Sequence, residues 1–384
     1  MKKFYDKNFR LGILGGGQLG RMLLQEAIDL DIRTAVLDPS AVAPCASIAN
    51  DFVQGDFSDY QTVVDFGKTC DVLTIEIEHV NVEALEKLQA EGLKIFPRPD
   101  ILKIVKDKGL QKQFYRVNKI DTASFHLVEN LEQVKQFVHE FPLVQKLRTG
   151  GYDGRGVQIL RTESDLEKAF DAASVLEKMI DFEKEIAVII ARNEAGEVKT
   201  FPLVEMEFNP EANLVEFLFS PASVSEAVEK KAVDLATRIV EALNFVGILA
   251  VELFSKGEEV LVNEIAPRPH NSGHHTIEGC VNSQYAQHLR SILNLPLGDT
   301  TLLRPAVMVN LLGEKGMEGA VKYDGLEEVM AWPGVHVHLY GKTETKPFRK
   351  MGHVTVTDDD LDVAKRRAKE VLQKLRVRSG RIMP

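Results

Sequence analysis

Residues 9–38 place the strongest constraint on what this chain can fold into. FRLGIL reads as a buried strand, GGGQLG (Gly15 to Gly20) as a tight loop, RMLLQEAIDL as a helix and RTAVLD as a second strand ending at Asp38. A strand that passes through a glycine loop into a helix and returns as a strand is a parallel β-α-β unit. Strand-like DVLTIEIEHV (71–80) and helix-like NVEALEKLQAEG (81–92) continue the alternation. The first hundred residues are therefore expected to form a small parallel α/β domain. The PRPD stretch at 97–100 marks its end, because prolines interrupt helix and strand alike.

The 384 residues correspond to two or three domains at about 150 residues each. Residues 101–120 read as helical. FPLVQKL (141–147) and VQIL (157–160) read as strands flanking the loop TGGYDGRG (149–156). A helix at 163–173 and the strand SVLEKMI follow, then EIAVIIAR (185–192) and VKTFPLVEMEF (198–208) as paired strands. Residues 225–243 form a long amphipathic helix, and GILAVELF (247–254) with EVLVNEIA (259–266) a hairpin. More strands lead to a final helix that Asp358 or Asp359 could cap. The expected division is 1–100, 101–185 and 186–384.

Charge and cysteine content exclude several classes of function. Acidic residues outnumber basic ones 57 to 47, for a formal charge of -10, so general nucleic-acid binding is not expected. An anionic substrate must be held by a local basic cluster. No apolar run approaches the roughly 20 residues that cross a bilayer. Cys45, Cys70 and Cys280 are widely spaced and odd in number. That argues against a disulfide framework or a Cys-based zinc site, and fits a reducing cytoplasm.

The first glycine loop, with Asp38 beyond it, matches the dinucleotide pattern. Its physical content is narrower: glycines admit an anion close to the backbone at a helix start. A dinucleotide, another phosphate ligand and a plain turn all remain open. The second loop has four glycines and Arg155 between two strands, with Lys146 at its base. This composition suits a flap over a triphosphate, whose oxygens would meet backbone N–H groups and Lys146. It is not a Walker loop: before Gly341-Lys342-Thr343, His336 stands where the leading glycine belongs.

If the 247–266 hairpin pairs about residue 258, Glu252 stands opposite Glu264 on one face. Two carboxylates that close repel unless a cation lies between them, and oxygen ligands beside a phosphate suit Mg²⁺. PRPHNSGHH follows at once. Its Arg268 and Asn271 can hold a carboxylate, carbonyl or phosphate. Its histidines raise zinc as a possibility, but the neighbouring hard oxygen ligands argue against it, and His274 or His275 can serve as packing residues.

These pieces, in this order, resemble the ATP-grasp ligases, and among them the family that carboxylates aminoimidazole ribonucleotide in purine biosynthesis. The stretches that carry the resemblance are GILGGGQLGRML, TIEIEHV, VQKLRTGGYDGRGVQ, VNEIAPRPHNSGHHT, VMVNLLG and FRKMGHVTV. The resemblance implies a fold of mixed α/β and α+β class, with an N-terminal Rossmann-like domain followed by an ATP-grasp fold. It implies ATP, bicarbonate and aminoimidazole ribonucleotide as substrates, one or two Mg²⁺ ions, and a homodimer. It implies no NAD, no zinc and no nucleic-acid or membrane partner.

Residue roles follow from the same resemblance. On the ATP side are Lys108, Lys146, the flap Gly151, Tyr152, Asp153, Gly154, Arg155, Gly156 and Val157, the adenine hinge Glu177, Lys178, Met179 and Ile180, then Glu185, Glu205, Asn263 and Glu264. Glu252 and Glu264 match the metal ligands. On the ribonucleotide side are Gly17, Gln18, Leu19, Glu76, Tyr152, Asp153, Arg155, Arg268, His270, Asn271, Lys342 and Arg349. Arg155, Arg268, Lys146 and either Glu76 or Glu78 would act in the chemistry. Three alternatives stay open: another ATP-grasp ligase, such as formate-dependent glycinamide ribonucleotide transformylase; a dinucleotide-dependent oxidoreductase; and a non-catalytic nucleotide-binding or scaffold protein, which would be expected to lack the metal ligands.

Overall fold

The computed structural model describes residues 2–151, 156–209 and 214–380. Its first unit is a five-stranded parallel sheet of order β3-β2-β1-β4-β5, built from β1 (Leu11–Leu14), β2 (Thr34–Asp38), β3 (Asp51–Gln54), β4 (Val72–Ile75) and β5 (Lys94–Phe96). Helices α1 (Gln18–Asp29), α2 (Tyr60–Gly67) and α3 (Val82–Ala90) make the crossovers. Asp59 and Asn81 cap α2 and α3 by accepting backbone N–H bonds from Thr62 and Ala84. The strand expected over 71–80 stops at Ile75, because the chain turns there and aims Glu76 back under the first glycine loop.

The expected helix over 101–120 is two helices, α4 (Pro99–Lys106) and α5 (Lys108–Val117). Asp107 separates them in extended backbone, and its carboxylate caps α5 through the N–H groups of Gly109 and Leu110. Pro99 sits in the first turn of α4, where its missing N–H costs nothing. A four-stranded antiparallel sheet of order β6-β9-β7-β8 follows, with β6 (Phe125–Val128), β7 (Leu143–Leu147), β8 (Val157–Leu160) and β9 (Ser174–Lys178); α6 (Leu131–Lys135) lies beside it. The segment expected as a helix at 163–173 is only a 3-10 stretch, Glu163–Lys168, closed by a capping box between Thr162 and Asp165.

The third unit is a nine-stranded sheet of order β15-β14-β10-β12-β13-β16-β20-β18, with β11 also paired to β10. Its strands are β10 (Lys184–Arg192), β11 (Val198–Thr200), β12 (Val204–Asn209), β13 (Leu214–Ser220), β14 (Gly247–Lys256), β15 (Glu259–Ala266), β16 (Ala306–Leu312), β18 (Val335–Leu339) and β20 (Lys350–Thr357). A small sheet, β19-β17-β21, joins β17 (Gly319–Asp324), β19 (Glu344–Thr345) and β21 (Arg376–Ser379).

Period-two alternation divides the large sheet into a buried face and a working face. Ile186, Val188, Leu249, Val251 and Leu253 pack against Ala232, Leu235 and Ile239 of α7 (Glu226–Ala242). Their strand neighbours Glu185, Glu252 and Phe254 point the other way. Helices α8 (Thr276–Gly279) and α9 (Gln284–Ile292) follow β15, α10 (Leu326–Met330) follows β17, and α11 (Leu361–Lys374) covers β16 and β20. Asp360, not Asp358 or Asp359, caps α11: it alone accepts the N–H groups of Asp362 and Val363, while Asp358 pairs with Arg367 and Asp359 with Arg304.

A seam of Leu19, Met22 and Leu23 from α1 with Tyr285, Leu289, Ile292 and Tyr340 welds the first unit to the third. That seam brings the first glycine loop to the same cleft as β14 and β15. All three cysteines are free thiols, and no helix among the described residues is long and apolar enough to cross a membrane.

Candidate active site

One wall of the cleft is the β14–β15 hairpin. Its pairing begins Lys256 to Glu259 and reaches Leu253 to Val262; one extra residue then enters β15, and Glu252 meets Glu264. Without this bulge Glu252 would face Asn263. The bulge therefore sets the expected carboxylate pair and aims Asn263 and Glu264 into one space. There Asn263 Oδ1 accepts from Lys146 Nζ at 2.9 Å, and Glu264 Oε2 pairs with Lys108 Nζ at 2.5 Å. Glu185 joins the same face, opposite Phe254.

Three carboxylates on one face cannot all ionise freely. Lys108 holds Glu264 well below the usual carboxyl range. Burial, then the charges of Glu264 and Glu185, push Glu252 well above it, and burial with Glu264 raises Glu185 to about 7. A divalent cation would let the opposed pair ionise together, and their oxygens are the hard donors that Mg²⁺ takes. The donor set fits that ion.

The facing wall comes from α5 and the four-stranded sheet. Lys146 on β7 pairs with Glu177 of β9 at 3.0 Å, and Lys112 of α5 pairs with the other carboxylate oxygen at 3.2 Å. Burial opposes the charge on Glu177, but Lys146 and Lys112 outweigh it and hold the carboxyl below its usual range. Lys178 and Met179 donate their backbone N–H groups to Ser124 and Pro142, so the main chain after Glu177 lies along the sheet edge, with Ile180 half-buried. Just beyond, Phe182 stacks on Phe254 with centroids 4.5 Å apart.

Gly151, Gly156 and Val157 flank the second glycine loop: Gly156 accepts the Leu147 N–H, and Val157 pairs with Lys146. Tyr152, Asp153, Gly154 and Arg155 lie outside the described residues. Glu205 requires a correction. Its register partner is Ile186, so its side chain points to the α7 face, where it accepts from Lys184 Nζ at 2.9 Å and from the Ser223 N–H at 3.0 Å. It is not among the groups lining the cleft.

The third wall joins the first glycine loop to the segment after β15. Asp38 accepts the Gly16 N–H at 2.7 Å, and Glu76 accepts the Gly17 N–H at 2.9 Å. The donors that would hold a dinucleotide pyrophosphate are thus already taken, and Gln18 and Leu19 open α1 directly above. That correction removes the oxidoreductase reading. Burial raises the Glu76 carboxyl to about 7, against the pull of the Gly17 N–H and Arg268.

Arg268 pairs with Glu78 at 2.9 Å and donates to the Pro269 carbonyl. His270 Nε2 stands 3.6 Å from Glu252, so this loop touches the hairpin wall. The backbone of His270 is clamped on both sides by Gln284, through bonds of 2.8 and 2.7 Å. Both polar atoms of the Asn271 amide are buried without a partner among the described residues. Both atoms are therefore open to a ligand or a water. His274 and His275 are buried packing residues, bonded to Tyr285 and to the Ser272 carbonyl, and burial holds both far below the usual imidazole range.

Lys342 donates to the Lys350 carbonyl and Arg349 to the Glu344 carbonyl. Lys350, next in sequence to Arg349, lies close enough that its charge acts on Glu252 and His274. Arg21, bonded to the Pro44 carbonyl, lies beside Gly341. Sequence reasoning missed Lys112, Gln284, Lys350 and Arg21. Of these only Arg21 and Lys350 carried a signal, since both fall inside the stretches GILGGGQLGRML and FRKMGHVTV.

Comparisons with known proteins identify the family. Residues 9–106 match a ribonucleotide synthetase preATP-grasp domain, residues 113–285 an ATP-grasp domain, and residues 306–367 a phosphoribosylaminoimidazole carboxylase C-terminal domain. The crystal structure of N5-carboxyaminoimidazole ribonucleotide synthetase from Thermotoga maritima is 46% identical and covers 97% of this chain and 99% of its own, with a TM-score of 0.89. The chain belongs to the N5-carboxyaminoimidazole ribonucleotide synthetase family of ATP-grasp ligases. The family enzyme of Synechococcus elongatus is 37% identical over 354 residues, 90% of this chain and 89% of that protein. A family structure from Aspergillus clavatus, solved with ADP and 5-aminoimidazole ribonucleotide, is 34% identical, covers 95% of this chain and 98% of its own, and has a TM-score of 0.86. The chain spans only 64% of the plant phosphoribosylaminoimidazole carboxylase it also matches.

Proposed function

We propose that this protein joins bicarbonate to the amine of 5-aminoimidazole ribonucleotide, converting ATP to ADP and phosphate and forming the N5-carboxylated ribonucleotide of purine biosynthesis. The observation that carries this reading is the single cleft in which Glu252 and Glu264, with Lys108 and Lys146, face a ribonucleotide wall of Arg268, Asn271 and Glu76. The Aspergillus clavatus relative holding ADP and the ribonucleotide supports the same assignment of ligands. A formate-using transformylase is not favoured, because relatives with the carboxylating name match along nearly the whole chain.

Bicarbonate is a poor electrophile, so its oxygen must first attack the γ-phosphorus of ATP, releasing ADP and giving carboxyphosphate. Phosphoryl transfer depends on positioning and charge neutralisation. Lys146 and Lys108 supply fixed positive charge, and Arg155 of the second glycine loop adds to it. Magnesium, held by Glu252 and Glu264, would supply further neutralisation of the phosphate oxygens. Arg268 then orients the carboxyl group, and the ribonucleotide amine attacks its carbon as phosphate leaves. Glu76, with a carboxyl near 7, is suited to receive the amine proton at neutral pH. Gly151 to Val157 closing over the site would keep water from carboxyphosphate.

The hinge 177–180, Glu185, Lys342 and Arg349 complete the ligand assignments, with 1–100, 101–185 and 186–384 as the working domains. A homodimer in a reducing cytoplasm is part of the same proposal, resting on the family resemblance and the three free thiols. ADP release tests the reaction. It should need both the ribonucleotide and bicarbonate; release indifferent to the ribonucleotide would reassign the substrate.

A further inference from the structure

Glu177 is a buried carboxylate with a lysine on each oxygen. The Lys112 side chain is 3% exposed, that of Glu177 5% and that of Lys146 12%. The two lysines are anchored differently. Lys146 also donates to Asn263, beside Glu264, on the cleft side. Lys112 instead donates to Thr122 Oγ1 at 2.6 Å, and Thr122 donates to the Val262 carbonyl at 2.6 Å. Lys112 is thus tied to the protein interior, while Lys146 borders the space proposed above for the phosphates.

A buried ion pair that loses one partner leaves an uncompensated charge, which is strongly unfavourable. With Lys146 alone on Glu177, any turn of Lys146 toward a phosphate would strand the carboxylate. With Lys112 in place it would not. We infer that Lys112 is a positioning residue: by staying on Glu177 as its permanent counter-ion, it frees Lys146 to engage the ATP phosphates. The inference rests on the phosphate role of Lys146 proposed above.

The test is steady-state kinetics of the full chain, with ATP and the ribonucleotide varied separately, on Lys112→Met, Glu177→Gln, the double variant and Lys146→Met. Lys112→Met should raise KM for ATP by about tenfold or more, with KM for the ribonucleotide unchanged. Adding Glu177→Gln should bring KM for ATP back to within about threefold of the single Glu177→Gln variant, since no carboxylate then locks Lys146. A merely structural Lys112 would move both KM values or neither, and the second substitution would rescue nothing; either result overturns the inference. Should Lys112→Met not fold, the pair Glu177→Gln and Lys112→Met/Glu177→Gln carries the test. Equal KM for ATP is then expected, and a further rise of about tenfold overturns it. If Lys146→Met leaves KM for ATP unchanged, the phosphate role of Lys146 fails. If Lys146→Met raises it and Lys112→Met does not, only the role of Lys112 fails.

Discussion

Gly17 donates its backbone N–H to Glu76 at 2.9 Å, so a donor that a dinucleotide-type loop would offer to a phosphate is taken by the protein's own carboxylate. A β-carbon on Gly17 would stand 2.3 Å from Glu76 Oε1, so any larger residue must push this carboxylate aside. Glycine lets the carboxylate approach this closely.

Gly17→Ala should therefore displace Glu76 while leaving the phosphate side alone. KM for the ribonucleotide is expected to rise by about tenfold, with KM for ATP within about twofold of the parent, and stability to fall by about 1–3 kcal/mol. Equal effects on both substrates would show that the loop does not border the ribonucleotide.

The Glu76 carboxyl also sets a pH signature. Its folded value is raised from 4.5 to about 7, so in that interval the folded protein holds a proton that the unfolded chain releases. The contribution to stability is full below pH 4.5 and is lost as pH rises through about 7. Over that window the parent should lose about 3 kcal/mol relative to Glu76→Gln. Urea unfolding of both proteins at several pH values measures the difference; parallel curves would mean that the carboxyl ionises normally.

Glu205→Gln tests the opposite placement. Its carboxylate serves Lys184 and Ser223 on the α7 face, so KM for ATP should stay within about twofold while stability drops by roughly 1 kcal/mol. A selective rise in KM for ATP would return Glu205 to the cleft.

The sequence conveyed this architecture unevenly, for physical reasons. Strand-helix alternation, amphipathic periodicity and short-range strand pairing are local signals, and the parallel sheet, α7 and the β14–β15 hairpin follow from them. Positions fixed by long-range contacts were harder. TIEIE alternates like a strand, yet Glu76 leaves the sheet to reach Gly17, 59 residues away in sequence. The bulge at Asn263 leaves no mark in the alternation, although it decides which residue opposes Glu252. Glu205 resembles a cleft residue in sequence, and only its pairing with Ile186 reveals the other face. Lys112 looks like any solvated lysine on a basic helix until β9 brings Glu177 against it.

The opposed glutamates give the sharpest test of the chemistry. Lys108 holds the Glu264 carboxyl well below its usual range, while burial and Glu264 push the carboxyl of Glu252, 3.6 Å from His270, well above it. A bound divalent ion would reverse that balance. Glu264→Gln keeps the shape and removes the charge that draws the cation, so ADP formation should fall by at least about a hundredfold, with the circular dichroism spectrum unchanged. Glu252 in that variant loses its charged neighbour, and its carboxyl should return toward the ordinary range. Isothermal titration of MgATP should show weaker binding, and normal ADP release would refute the metal assignment.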